Sequence, residues 1–199
     1  MEGSAILGSS ASVIRSLVFV SAFLIFADAA PAGDEKSIKG FRDAGVALAP
    51  DVDPAEAELL SITAHTTARQ LARQYRVVGP SVFQNFLIHI GVRQRGYCFQ
   101  WARDIGLRLK ELKLNTLVLH WGAAEAGSVG EHNCVVVTAR GQPFREGYII
   151  DGWRNAGRLC WWPVKKDSSY AWKEDLHETA WLQNYEPSEA KPQRVTAQR

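Results

Sequence analysis

The apolar residues of this chain change their spacing once, shortly after residue 112, and this change restricts the possible folds more than any other feature. Before it, apolar residues recur at helical spacing; after it, β-branched and aromatic residues dominate. The predicted helices of the first part cover residues 54–76, 81–90 and 98–112. The elements predicted after it are strands over 115–121, 132–139, 147–153 and 158–164 and a closing helix over 175–184. Helices and strands are therefore largely segregated along the chain.

The first long helix has a recognisable start. Asp53 is a favourable N-cap residue, and Pro54 suits the first helical turn, where its missing N–H would have no partner. Its predicted apolar face consists of Leu59, Ile62, Thr66, Leu71 and Tyr75.

The two ends of the chain differ in composition from its centre. An apolar run over residues 16–27 follows Arg15 and precedes several small residues, and it is shorter than the roughly 20 residues of a membrane-spanning helix. It predicts a cleaved signal peptide or an uncleaved membrane anchor over residues 1–29, with a cytosolic chain as the remaining alternative. The organisation predicted beyond it is a linker over 30–53, a folded domain over 54–185 and a disordered tail over 186–199.

Export would place the protein in the periplasm or outside the cell, with its N-terminal segment engaging the membrane during export. In such an oxidising compartment Cys134 and Cys160 could form a disulfide. The number of cysteines is odd, so at least one thiol stays unpaired within the monomer.

Composition restricts the classes of partner. A net charge of +2 over 199 residues is too small to indicate nucleic acid or an anionic membrane as the main partner. The cysteines and histidines lack the spacing of a structural zinc site, and no cofactor is predicted. A metal site formed by Cys98, His132 and Asp151, with Cys134 as a further ligand, is an open alternative. The seven Trp residues predict either a bulky core or stacking on a ligand.

Cys98 is predicted to lie in the first turn of a helix, directly after Gly96 and Tyr97. The unsatisfied N–H groups and the dipole at a helix N-terminus favour a thiolate there. Three arginines nearby in sequence add positive charge, namely Arg93, Arg95 and Arg103. The pattern therefore indicates a nucleophile, and an inert core thiol is the alternative.

The next two strands supply a partner for this thiol. A turn centred between Gly141 and Gln142 would place His132 directly opposite Asp151 on neighbouring antiparallel strands, with both side chains on one face. Asp151 would then fix the tautomer and orientation of His132 and leave the other ring nitrogen free. His120 is a rival base. The alternatives are a surface histidine at a strand end and an aspartate that only shapes a turn.

These residues match the needs of thiol catalysis, in which a thiolate attacks a carbonyl and an oriented histidine transfers the proton. The backbone N–H of Cys98 is a candidate oxyanion donor, and Gln94 is a candidate for the second donor that such a site requires. Gln100 and Trp101 are further candidates, and Trp101 and Trp153 are predicted to contact substrate.

The segments GYCFQWA, EHNCVVV and YIIDGW resemble the Cys, His and Asp boxes of the transglutaminase-like branch of the papain-like cysteine enzyme superfamily. The resemblance covers about residues 90–155, and its spacing is compatible with bacterial members. It implies an α+β fold in which N-terminal helices precede a Cys helix packed on an antiparallel sheet. It also implies that Cys98, His132 and Asp151 form the catalytic triad. Asn133 stands where the family usually has an aromatic residue after the histidine.

The function expected from this pattern is a thiol-dependent hydrolase or acyl transferase that acts on an amide bond of a protein or peptide. A cysteine peptidase, an amidase and a transglutaminase-like acyl transferase all fit. The alternative is a non-catalytic binding or assembly module of the same fold in the cell envelope.

Overall fold

A computed structural model describes residues 33–186 of the protein. The helices are α1 (Glu35–Val46), α2 (Pro54–Gln74), α3 (Ser81–His89), α4 (Cys98–Lys110) and α5 (Leu176–Asn184). The strands are β1 (Leu117–Ala124), β2 (His132–Ala139), β3 (Tyr148–Asp151), β4 (Cys160–Pro163) and β5 (Lys173–Glu174). They form an open sheet in the order β4-β3-β2-β1-β5, with every neighbouring pair antiparallel. The described part of the chain is therefore α+β, as predicted.

The main core lies between the helices and one face of the sheet. Helix α4 contributes Trp101, Ile105 and Leu109, which are buried together with Val135 and Val137 of β2. Burial of such side chains stabilises each by about 1.5–3 kcal/mol relative to exposure, so α4 is held firmly against the sheet. This packing fixes the position of Cys98 at the N-terminal end of α4.

A smaller core covers the opposite face of the sheet. It contains Cys134 and Val136 from β2, Ile149 from β3, and Phe144 and Trp172 from the connecting segments. Because alternate residues of a strand point to opposite faces, even-numbered residues of β2 face this core and odd-numbered ones face α4. The first two residues of β2 therefore reach different surroundings.

Helix α1 corrects the prediction of a linker over residues 30–53. Phe41 of α1 is buried in the main core and stacks on Trp161, with ring centroids 5.3 Å apart. Asp34, just before α1, accepts two hydrogen bonds of 2.9 Å from Arg69 of α2. The folded region therefore begins well before residue 54. The predicted signal peptide or anchor over 1–29 and all but the first residue of the predicted tail lie outside the described residues.

Helix α2 begins as predicted, and its predicted apolar face is buried only in part, at Leu71 and Tyr75. The Asp53 carboxylate accepts a hydrogen bond of 2.8 Å from the backbone N–H of Ala55. Leu59 is exposed, whereas the buried face consists mainly of Ala57, Leu60, Ala64, Ala68 and Leu71. Among the described residues, no helix has the length and apolar character needed to cross a bilayer.

The register of β2 and β3 differs from the prediction by two residues. Val135 pairs with Ile150, which places Asp151 beside Cys134 rather than opposite His132. The register differs because the segment that connects β2 to β3 contains a short 3₁₀ turn over Phe144–Glu146, so that β3 begins only at Tyr148. A shift of two keeps each side chain on its predicted face, so His132 and Asp151 become diagonal neighbours.

Candidate active site

Cys98 is the first residue of α4, and the chain before it is held by a capping arrangement. The Gln100 side-chain oxygen accepts hydrogen bonds from the backbone N–H groups of Gly96 and Tyr97, at 2.7 and 3.1 Å. Gly96 has a φ of +133°, and a Cβ there would lie 2.8 Å from Gln84. Only glycine suits such a backbone, so the approach to Cys98 depends on it.

His132 and Asp151 form a buried hydrogen-bonded pair. The His132 Nε2 atom lies 2.7 Å from Asp151 Oδ2, and the two side chains are 2% and 1% exposed. His132 begins β2 and Asp151 ends β3, so the sheet itself holds both residues. The interaction fixes the ring and leaves Nδ1 as the second nitrogen.

The Cys98 thiol lies near the His132 ring and acts on its charge. Because Nε2 is occupied by Asp151, Nδ1 is the nitrogen available to this thiol. Burial disfavours the imidazolium, but the hydrogen bond with Asp151 and the proximity of Cys98 outweigh it and raise the pKa of His132 to about 9. The imidazolium form of His132 is thus favoured at neutral pH. Cys98 Sγ also lies 3.6 Å from the backbone oxygen of Glu131.

Asp151 is held by further donors on its far side. Its carboxylate accepts from the backbone N–H groups of Trp153 and Arg154, at 2.9 and 3.0 Å, and from Arg154 Nε at 3.2 Å. Arg154 also pairs with Asp167 at 2.7 Å. Burial alone would lower the pKa of Arg154, but the carboxylates of Asp167 and Asp151 outweigh burial, and this pKa is raised. Arg154 therefore links two buried carboxylates and fixes the one that orients His132.

Three aromatic rings enclose His132. The ring centroids of Tyr170, Trp153 and Trp172 lie 4.5, 4.8 and 5.4 Å from that of the imidazole. Trp172 Nε1 donates to Asp167 at 2.8 Å, which fixes this part of the enclosure. Aromatic faces attract a cation and exclude water, so the enclosure suits a charged, well-oriented imidazolium.

Asn133 also belongs to the site, although its sequence position did not predict a role there. Its Oδ1 accepts from Trp121 Nε1 at 2.8 Å, which directs Nδ2 toward Glu131 Oε1 at 2.9 Å and Cys98 Sγ at 4.0 Å. This hydrogen bond from Asn133 lowers the pKa of Glu131. A groove of about 500 Å³ opens beside these residues and is also lined by Phe99 and Trp181. The only sequence signal was that Asn133 directly follows the candidate base.

The other predicted site residues have different environments. Gln94 is exposed in the loop before α4, and no hydrogen bond among the described residues brings it to Cys98. Trp101 is 2% exposed and donates its N–H to the Gly96 backbone oxygen at 3.1 Å, so the prediction that it contacts substrate is wrong. Gln100 serves the helix cap. Trp153 lies against His132, and its N–H donates to Asn85 at 3.2 Å.

His120, the rival base, and the other two cysteines, Cys134 and Cys160, lie where their side chains serve the fold rather than the site. His120 contacts Glu174 through Nδ1 at 2.7 Å and Thr138 through Nε2 at 2.9 Å, so neither ring nitrogen is free. Cys134 and Cys160 are free thiols separated by β3, which places their Cα atoms roughly 10 Å apart and too distant for a disulfide. Burial raises the pKa of both thiols.

Within residues 33–186, no group of three or more His, Cys, Asp or Glu side chains is arranged to hold a metal ion. No family model matches this chain, and no match was found among the curated proteins or the solved structures. The geometry of the site is therefore the basis for assigning a function to this protein.

Proposed function

We propose that this protein is a thiol-dependent hydrolase or acyl transferase that acts on an amide bond of a protein or peptide. The observation that carries the proposal is the His132 ring, which is hydrogen-bonded to the Asp151 carboxylate and lies near enough to Cys98 for the thiol to help raise its pKa. A nucleophile, a base and an orienting carboxylate linked in this order are what thiol catalysis requires.

The reaction would begin from the ion pair in which the Cys98 proton already lies on Nδ1 of His132, so that Cys98 is a thiolate and His132 an imidazolium. The thiolate attacks the substrate carbonyl carbon, and the carbonyl electron pair moves to oxygen. As the C–N bond breaks, the imidazolium gives its proton to the leaving amine, and a thioester remains on Cys98. Water or a second amine then attacks the thioester and passes its proton to the neutral His132. The C–S bond breaks, and Cys98 regains its starting form.

Asn133 would supply the second oxyanion donor. The first is the backbone N–H of Cys98, which lies in the first turn of α4, where N–H groups have no partner within the helix. The Asn133 amide is oriented by Trp121 and lies next to the thiol, on the side where the groove opens. Two donors of this kind stabilise the developing negative charge of a tetrahedral intermediate.

The order of a Cys helix, a His strand and an Asp strand supports placing this protein in the transglutaminase-like branch of the papain-like superfamily. The groove lined by Asn133, Phe99 and Trp181 would receive the substrate beside the thiol. We further propose, from the apolar run over residues 16–27, that the reaction takes place in the cell envelope or outside the cell.

The proposal is tested by assaying the full chain on a panel of peptide amides, esters and amine-transfer substrates. Cys98→Ala is expected to reduce turnover more than about a thousandfold, because the covalent step is lost. The matched control is Cys160→Ala, a half-buried thiol on β4, which should keep near-normal turnover. Full activity of Cys98→Ala, or no activity of the native protein on any of these substrates, would contradict the proposal and favour a non-catalytic module.

A further inference from the structure

An ordinary surface helix buries its apolar side and exposes its polar side. Helix α3 does the opposite. Its inward-facing residues are polar: Ser81 donates to the backbone oxygen of Trp153, Asn85 accepts from the Trp153 indole, and Gln84 donates to the backbone oxygens of Tyr75 and Arg95. Neither core of the described residues contains a residue of α3.

The outward face of α3 and its flanks are apolar. Val82, Phe83, Phe86 and Ile90 are 46–70% exposed, and Val78 and Val92 extend the surface at either end. We call these six residues the α3 face. They are six of the eleven large apolar residues that are exposed in the described part of the chain. Single exposed apolar residues are ordinary, but a contiguous group marks an interaction surface.

Two arginines flank the α3 face in sequence, Arg76 before it and Arg93 after it. Residues 59–103 contain six Arg and no Asp or Glu, and of these six Arg69 and Arg95 pair with Asp34 and Asp104. Arg76 and Arg93 flank the face and have no acidic partner within residues 33–186. The Arg93 guanidinium instead donates to the backbone oxygens of Arg76 and Val92, both at 3.1 Å. The flanking positive charge is therefore available to a partner.

We propose that the α3 face binds the surface of an anionic lipid bilayer. An apolar helix face flanked by arginines matches the pattern of helices that lie in the interfacial region of a membrane. A second copy of this chain is a poorer occupant, because pairing two α3 faces would bring Arg76 and Arg93 of both copies together. The face is also joined to the candidate active site, since Ser81 and Asn85 bind Trp153, which contacts His132.

Flotation of the full chain with phosphatidylcholine vesicles, with and without phosphatidylglycerol, tests the proposal. Phe83→Ser combined with Phe86→Ser is expected to lower partitioning onto anionic vesicles at least about tenfold, because two exposed aromatic side chains no longer enter the bilayer. Arg76→Gln and Arg93→Gln should each lower it about fivefold on anionic vesicles and much less on neutral ones.

The matched control is Val129→Ser combined with Leu176→Ser, which removes two exposed apolar side chains away from α3 and should leave partitioning unchanged. The apolar run at residues 16–27 is present in every variant, so any contribution it makes cancels in the comparison. Failure of the native chain to float with anionic vesicles overturns the proposal. Equal flotation of the native chain and the double Phe variant also overturns the proposal. That result would indicate that the N-terminal run binds the vesicles. If the double Phe variant also no longer self-associates, the α3 face would instead bind a second copy of the chain.

Discussion

At the scale of single residues, His132 matters most because its ring lies between the carboxylate and the thiol of the site. Asp151 takes Nε2, and Cys98 lies near the same ring and helps to raise its pKa. The pair with Asp151 was predicted from strand alternation, although the predicted register was wrong by two residues. The prediction survived because an even shift does not move a side chain to the other face.

The raised pKa of His132 predicts a pH dependence of stability. The folded-state pKa of about 9 lies above the unfolded value of about 6.5, so the interaction stabilises the fold fully below pH 6.5. This stabilisation, roughly 3 kcal/mol, is lost as the pH rises from 6.5 through 9. Denaturant unfolding of the native chain and of Asp151→Asn at several pH values measures it. The difference in unfolding free energy between the native chain and Asp151→Asn should shrink from pH 6.5 to 9. A constant difference would show that the pair with Asp151 does not raise the pKa of His132.

Asn133 and Gln94 offer a direct comparison of two candidate oxyanion donors. Asn133→Ala is expected to lower kcat about 10²–10³-fold with little change in KM, because the donor acts mainly in the transition state. Gln94→Ala should have little effect, since Gln94 is exposed and away from the thiol. Steady-state kinetics of both variants shows which residue is the donor. Thermal unfolding of Asn133→Ala checks whether the loss of the hydrogen bond from Trp121 also destabilises the fold. A larger loss in the Gln94 variant would reverse the assignment.

At the scale of elements, the site forms where three of them end or begin. The N-terminus of α4, the start of β2 and the end of β3 meet, and each contributes one side chain. The position of α4 depends on its core residues, whereas the orientation of its first turn depends on Gly96 and the Gln100 cap.

Gly96→Ala is expected to destabilise the protein by about 1–3 kcal/mol and to reduce turnover, because a Cβ would meet Gln84 in a backbone conformation reserved for glycine. Gly141→Ala is the matched control, since Gly141 has a φ of +81° but open space around it. It should cost about 1 kcal/mol and leave turnover unchanged. Denaturant unfolding and activity assays measure both, and equal effects of the two substitutions would show that the first turn of α4 does not depend on Gly96.

The elements also show what sequence patterns can predict. Helix α4 was predicted over residues 98–112, where Ala102, Ile105 and Leu109 recur at helical spacing, and all three are buried in the structure. The buried face of α2 was predicted only in part, at Leu71 and Tyr75, because its close packing also selects small residues such as Ala64 and Ala68, which carry little hydrophobic signal. Helix α1 was missed for a related reason: it has few apolar residues, and its anchor is the long-range pair of Asp34 with Arg69.

At the scale of the whole molecule, the sheet brings together side chains that are distant in sequence. Tyr170 and Trp172 enclose His132, and Arg154 reaches Asp167 thirteen residues further along the chain, yet none of these contacts has a local sequence pattern. Such contacts depend on how the chain after β4 folds back over the sheet, so they could not be predicted. The charge distribution is similar: the net charge indicated no membrane partner, whereas the positions of the arginines around α3 support one.

The most direct test of the central claim is the rate at which iodoacetamide alkylates each cysteine at about pH 6, followed by peptide mass spectrometry. Cys98 should react at least about tenfold faster than Cys160, and His132→Gln should lower its rate by a similar factor. His120→Gln is the matched control, because His120 also binds a carboxylate but has no contact with the thiol. Equal, slow labelling of Cys98 and Cys160, or a Cys98 rate unaffected by His132→Gln, would contradict a thiol activated by His132.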